Sequence, residues 1–232
     1  MAKEYYDVSY KTYFNDRIKP LVFRGRETHP LYVQVTYDRR SIFFKSYYFE
    51  VFARPKYDFL KTNILQINDL ESRMVDYLIN RDAERFELDG LLGQYKLFST
   101  DVLDSFDGSF KIWLGAFLKG EGFPGLAFFI ETAPDGVAAI QLWDELKKSL
   151  QPDIFDKMEE AVVRDGHPYI PLATYIRGKF PKGPFCLPLY EWAREEKQAE
   201  IEEYLADVFW GLDMGRVTRA VAKVLYPKGL MV

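Results

Sequence analysis

Few side chains in this 232-residue sequence have a spacing that suggests chemistry, and those few lead away from an active site. His29 and His167 are the two histidines, each followed by proline, and Cys186 is the single cysteine. A zinc set needs about four closely spaced ligands and a nucleophile pair needs its base at hand; neither pattern is present. Asp101, Asp104 and Asp107 recur every third residue, so on a helix they would lie on adjacent faces, where carboxylates can hold a hard cation. The competing reading gives Ser99-Thr100-Asp101 a helix start and Asp107-Gly108-Ser109 a turn. Gly178 to Pro184 is glycine-rich and basic, but its prolines remove backbone donors and the phosphate-loop spacing is missing. Gly120 to Gly125 fails the dinucleotide pattern in the same way. The expectation is a non-catalytic protein with no metal or cofactor.

Charge is the more informative signal. Through Thr62, twelve Lys and Arg face seven Asp and Glu, a surplus of +5; the remaining residues carry nineteen against twenty-eight, or -9. Lys11, Arg17, Lys19, Arg24, Arg26, Arg39, Arg40 and Lys45 supply most of the basic front. Such an asymmetry suggests different partners for the two parts, a phosphate backbone being the natural one for the front. Nineteen Phe, sixteen Tyr and four Trp add rings suited both to strands and to contact surfaces. The longest apolar run, Leu126 to Ile130, falls far short of the roughly 20 residues that span a bilayer, so no membrane crossing is expected. With one cysteine, and no apolar stretch in Met1 to Asp7 to act as a secretion signal, the expected compartment is the reducing cytoplasm.

Elements must position these residues. Alternation predicts strands at Tyr6–Tyr13, Leu31–Tyr37 and Ile42–Phe52, the last two joined as a hairpin through Asp38-Arg39-Arg40-Ser41. Asn15–Pro30, with Pro20, Gly25 and Pro30, reads as an exposed basic loop. Asn68 with Glu71 resembles a capping box before a helix over about Asp69–Arg81, whose stripe is Leu70, Met74, Val75, Leu78 and Ile79. Between Phe86 and Ile130, short strands and a buried helix fit equally well. Helices follow at Ala138–Leu150, Asp153–Arg164, Pro188–Phe209 and Gly215–Leu225, the third docking through Trp192, Leu205 and Phe209; prolines break the stretch from Pro168 to Pro188. The fold class is therefore α+β: a small antiparallel three-stranded N-terminal sheet with a packed helix, then a mainly helical part. Residues 1–82 form a basic β-rich domain and residues 83–232 an acidic helical one.

The runs Lys11-Thr12-Tyr13-Phe14 and His29-Pro30-Leu31-Tyr32-Val33-Gln34-Val35-Thr36-Tyr37-Asp38-Arg39-Arg40, with the helix near Asn63–Ile79, resemble the N-terminal arm-type DNA-binding domain of phage and transposon integrases, the tyrosine recombinases. The resemblance covers about the first 80 residues and implies a three-stranded sheet in the major groove of double-stranded DNA with a helix behind it. It also implies that Lys11 lies on the binding sheet, that Arg39, Arg40 and Lys45 touch phosphates, and that Gln34 reads a base edge. Gln34 stands where the family usually has arginine, and no glycine occupies the turn near Arg39. The recombinase catalytic pattern of Arg, His-x-x-Arg and Tyr does not occur after Arg81. The expected function is a DNA-binding accessory protein of a mobile element or phage, whose acidic helical part contacts protein. The alternatives are an assembly protein that uses its aromatic sheet as an interface, or an ordinary hairpin with a solvated basic turn.

Overall fold

A computed structural model describes residues 8–57, 62–81, 83 and 86–225. The chain packs as two compact units, Met1–Ser99 and Thr100–Val232. In the first, β1 (Ser9–Phe14), β4 (Leu31–Tyr37) and β5 (Arg40–Lys45) form an antiparallel sheet in the order β1-β4-β5, with β2 (Leu21–Phe23) and β3 (Arg26–Thr28) as a separate hairpin. Helices α1 (Tyr47–Phe52), α2 (Ile64–Arg81) and α3 (Leu88–Phe98) complete it. The expected α+β class and three-stranded sheet are thus present. Tyr6 and Asp7, expected to begin the first strand, lie outside the described residues.

Several local expectations need correction. The run Ile42–Phe52 is not one strand: β5 ends at Lys45, and the Ser46 hydroxyl accepts the Phe49 N–H at 2.9 Å to cap α1. Period two would have sent alternate residues of this aromatic run into water, whereas the helix buries Tyr48, Phe49, Val51 and Phe52 together. The basic segment Asn15–Pro30 is not all loop. Arg24 (φ 53°) and Gly25 (φ 73°) turn β2 into β3, and Phe23 stacks on Phe49 at 4.9 Å. The capping box lies five residues earlier than expected: Asn63 and Gln66 exchange bonds of 2.9 and 3.1 Å, and α2 starts at Ile64. Glu71 is free to go inward. The segment after Arg81 forms α3, which packs with the first unit, so that unit extends to Ser99.

Glu71 is fully buried on α2 and organises these helices. Its carboxylate accepts the Ser46 hydroxyl at 2.5 Å, the Tyr95 hydroxyl at 2.9 and 2.8 Å, and the Tyr48 N–H at 3.4 Å. Tyr95, on α3, accepts in turn from the Tyr47 N–H at 2.8 Å. Loss of hydration pushes the Glu71 carboxyl up to about 7, against the downward pull of its bonds from Ser46, Tyr95 and Tyr48.

The second unit is helical: α4 (Val102–Gly120), α5 (Pro124–Glu131), α6 (Ala139–Ser149), α7 (Pro152–Asp165), α8 (Tyr169–Lys179), α9 (Leu189–Trp192), α10 (Glu195–Val208) and α11 (Met214–Leu225). The ambiguous stretch from Phe86 to Ile130 contains α3, α4 and α5, and α8 lies within the proline-broken segment. Pro171 sits in the first turn of α8, where a missing N–H costs no helical bond. The expected helix Pro188–Phe209 is split into α9 and α10; Trp192 and Leu205 are buried, while Phe209 is half-buried. Asp101 caps α4, accepting the N–H groups of Leu103 and Leu187 at 3.0 Å each. Asp107 does not sit in a turn. It is buried within α4, pairs with Lys111 at 3.1 Å, and accepts the Ala139 N–H at 2.8 Å and the Tyr169 hydroxyl at 3.3 Å. Lys111 also donates to the Val137 carbonyl at 2.5 Å, so one ion pair holds the chain that enters α6.

Two outcomes follow from these buried groups. The folded Glu71 carboxyl binds its proton more tightly than an unfolded one near 4.5, so stability declines as pH rises from about 4.5 to about 7, by roughly 3 kcal/mol in all. Glu71→Gln removes this slope, as read from amide exchange at Val33 and Val35 at several pH values. Asp107→Ala strands the Lys111 ammonium and costs about 3–5 kcal/mol, measured by urea unfolding of the helical signal.

Candidate nucleic-acid interface

The sheet has one dry and one wet face. On β4, Leu31, Val33 and Val35 point inward and are buried, joined by Phe44 from β5. On the same side, Tyr10 of β1 donates its hydroxyl to Asp76 of α2 at 2.9 Å. Because opposed residues in paired strands share a face, the register places three ranks on the opposite side: Ser9–Thr36–Ser41, Lys11–Gln34–Phe43 and Tyr13–Tyr32–Lys45. All nine are exposed or half-exposed, and none is acidic.

Lys11, Gln34 and Lys45 are therefore brought onto one face. The Lys11 ammonium lies 5.9 Å from the Tyr13 ring centroid, and Tyr13 and Tyr32 pack at 6.1 Å. Gln34 sits at the centre. Its amide nitrogen is 3.4 Å from both Thr36 Oγ1 and Ser41 Oγ, longer than a firm hydrogen bond, while those two hydroxyls bond each other at 2.7 Å. The amide nitrogen is thus engaged only by two long contacts. Lys45 reaches Glu50 at 3.2 Å with both side chains about half exposed, an ion pair that a phosphate oxygen can displace at little cost.

The two turn arginines separate. Arg39 is exposed at the apex of the β4–β5 hairpin, where Asp38 (φ 46°) and Arg39 (φ 60°) both adopt the left-handed conformation of a two-residue turn that normally selects glycine or asparagine. Arg40 leaves the wet face. It opposes Tyr37, on the side of Val35 and Ile42, and binds Asp89 of α3 at 2.7 Å.

Sequence reasoning missed Phe43, which is 55% exposed at the end of the central rank. The signal was available: with Ile42 and Phe44 facing inward, period two leaves Phe43 no other side. The basic surplus is smaller by unit than by segment, since residues 1–99 carry sixteen Lys and Arg against fourteen Asp and Glu.

The other candidates resolve into structural roles. His29 Nδ1 donates to the Ile18 carbonyl at 2.9 Å. His167 accepts the Tyr169 N–H through Nδ1 at 3.3 Å, leaving its proton on Nε2, and burial among Phe106, Phe110 and Trp113 lowers it to about 4, so it is neutral near pH 7. Cys186 is buried. Among the described residues, no group of three or more His, Cys, Asp or Glu is placed to hold a metal ion, and no helix is long and apolar enough to cross a membrane.

Arg39→Gly relieves the left-handed strain, about 1–2 kcal/mol for a side chain there, against about 0.5–1 kcal/mol for the greater freedom of an unfolded glycine. The expected net gain, about 0–1.5 kcal/mol, is read from amide exchange at β4 and β5. In comparisons with known proteins, no family model matches the sequence and neither a curated protein nor a solved structure is significantly similar, so the functional reading rests on the geometry of the wet face.

Proposed function

We propose that the first unit binds double-stranded DNA through the wet face of its sheet, in a non-catalytic accessory protein of a mobile element or phage, and that the acidic helical unit engages a protein partner. The carrying observation is that the three ranks of paired strand residues holding Lys11, Gln34, Phe43 and Lys45 contain no acidic residue, with Arg39 at the hairpin apex and Glu50 of α1 reaching Lys45 from outside the ranks. A major groove about 12 Å wide admits a small sheet or ribbon. In that pose the lysines and Arg39 neutralise flanking phosphates, and the Gln34 amide bonds the N6 and N7 edge of an adenine. Phe43 offers an apolar contact for a thymine methyl. Arg40 opposes Tyr37 on the other side of the sheet and takes no part.

Phe43 also favours a second reading. Phe43, 55% exposed on the face that also carries Tyr13 and Tyr32, suits the centre of a protein interface as well as a base contact. Salt dependence separates the two. For DNA, affinity falls steeply with salt, and Lys11→Ala, Arg39→Ala and Lys45→Ala together flatten the slope by up to about three contacts' worth. Arg40→Ala leaves that slope unchanged. Gln34→Ala also leaves it unchanged and narrows the difference in affinity between sequences. The measurement is a titration of labelled duplexes of different sequence at several salt concentrations. Absence of binding by the wild type at about 50 mM salt rejects the DNA reading in favour of the protein interface.

A further inference from the structure

Within the second unit, α6, α7 and α8 and the α10–α11 connection border a cleft of about 560 Å³, a size suited to a small organic ligand. Its walls are mainly apolar: Trp143, Val162 and Ile170 belong to the core, while Val208, Phe209 and Trp210 form the rim. Trp210 is the most unusual of these. The residue is 93% exposed, although it lines the cleft. The charges that line the cleft are unevenly matched. Arg177 is held by Asp144 through two bonds of 2.8 and 2.6 Å, and Lys147 lies 3.8 Å from Glu159. Glu160 also lines the cleft and has no basic partner among the described residues. The lining therefore carries one carboxylate in excess of its cations.

We propose that this cleft is a binding site for a small organic cation with an apolar body. Two independent features select that class. An indole presents the negative face of its quadrupole to a cation, most favourably to a quaternary ammonium whose methyl groups shed water easily. The excess carboxylate of Glu160 discriminates in the same direction, repelling an anion and attracting an ammonium. The apolar walls take the hydrocarbon part, and the ion pairs Arg177–Asp144 and Lys147–Glu159 leave no unmatched basic group to attract a carboxylate ligand. This site is independent of the DNA-binding reading, which concerns the first unit alone.

The test uses the full chain and three probes of matched shape: 4-phenylbutyltrimethylammonium, 4-phenylbutan-1-ol and 4-phenylbutyrate. Binding is followed through the indole N–H resonances of Trp143 and Trp210 in nitrogen-15 correlation spectra. The ammonium is expected to bind saturably, about ten-fold more tightly than the alcohol, with the carboxylate weakest. Trp210→Ala and Glu160→Gln change exposed side chains and leave the fold intact; each is expected to weaken the ammonium by about three- to ten-fold, and Glu160→Gln to leave the alcohol unchanged. The proposal is overturned if the ammonium produces no saturable shift at Trp143 by about 10 mM, a concentration at which even a weak fragment registers. It is equally overturned if the three probes bind alike, or if the ammonium binds both variants as it binds the wild type.

Discussion

β4 is hydrogen-bonded on both sides, so the face that its Leu31, Val33 and Val35 turn inward decides the faces of β1 and β5 as well. Side chains alternate with a period of two, and a slip of one residue would exchange every inward and outward position at once. The buried valines make that slip prohibitive. They thereby hold Lys11, Gln34 and Phe43 in one rank on the opposite side, although those residues come from three strands and contribute little to the core. The candidate interface is thus a consequence of burial on the other face. Its polar residues are positioned by apolar neighbours in sequence more than by bonds among themselves, which is why Gln34 can sit centrally with only long contacts to Thr36 and Ser41.

Behind this sheet, and separately in the helical unit, packing is directed by single buried carboxylates. Glu71 has no cation beside it among its hydrogen-bond partners. Three donors, from Ser46, Tyr95 and the Tyr48 backbone, replace its water, and they come from α3 and from the start of α1. Asp107 instead has the Lys111 ammonium, together with the first N–H of α6 and the Tyr169 hydroxyl of α8. Apolar surfaces attract one another without direction, whereas each of these carboxylates accepts bonds from particular donors in particular places. In each unit the polar centre therefore selects one arrangement of helices among the several that hydrophobic burial alone would tolerate.

Turn chemistry shapes the edge of the sheet. The β4–β5 hairpin is a two-residue turn without glycine, and Asp38 and Arg39 both carry positive φ. The same geometry recurs at Arg24-Gly25, where glycine occupies the second place. Retaining arginine at a position that favours glycine costs conformational energy and projects a positive charge from the apex beyond the strands. Arg40 opposes Tyr37 on the other side of the sheet, which leaves Arg39 as the arginine presented at the apex.

What the sequence determined by itself was whatever rests on period and composition. The alternation in Leu31–Tyr37, the helical stripes of α2, α6, α7 and α11, and the α+β order all follow from apolar spacing, which is local. Lys11, Arg39 and Lys45 were legible as candidates for the same reason, since charge and turn position need no fold to be noticed, whereas Gln34 entered only through the resemblance to the integrase arm domain. Tertiary structure alone decided where equal local patterns diverge. Ile42–Phe52 looks like one long strand until Ser46 finds Glu71 and Phe49, and Asn68-Glu71 looks like a helix cap until burial claims Glu71. Arg39 and Arg40 are adjacent and alike in sequence, but only the pairing with Tyr37 and the bond to Asp89 send the second away from the wet face. The cleft beside Trp210 had no signature at all, because its walls come from segments up to 67 residues apart, from Trp143 to Trp210, and their meeting is set by packing over distances that no local spacing records.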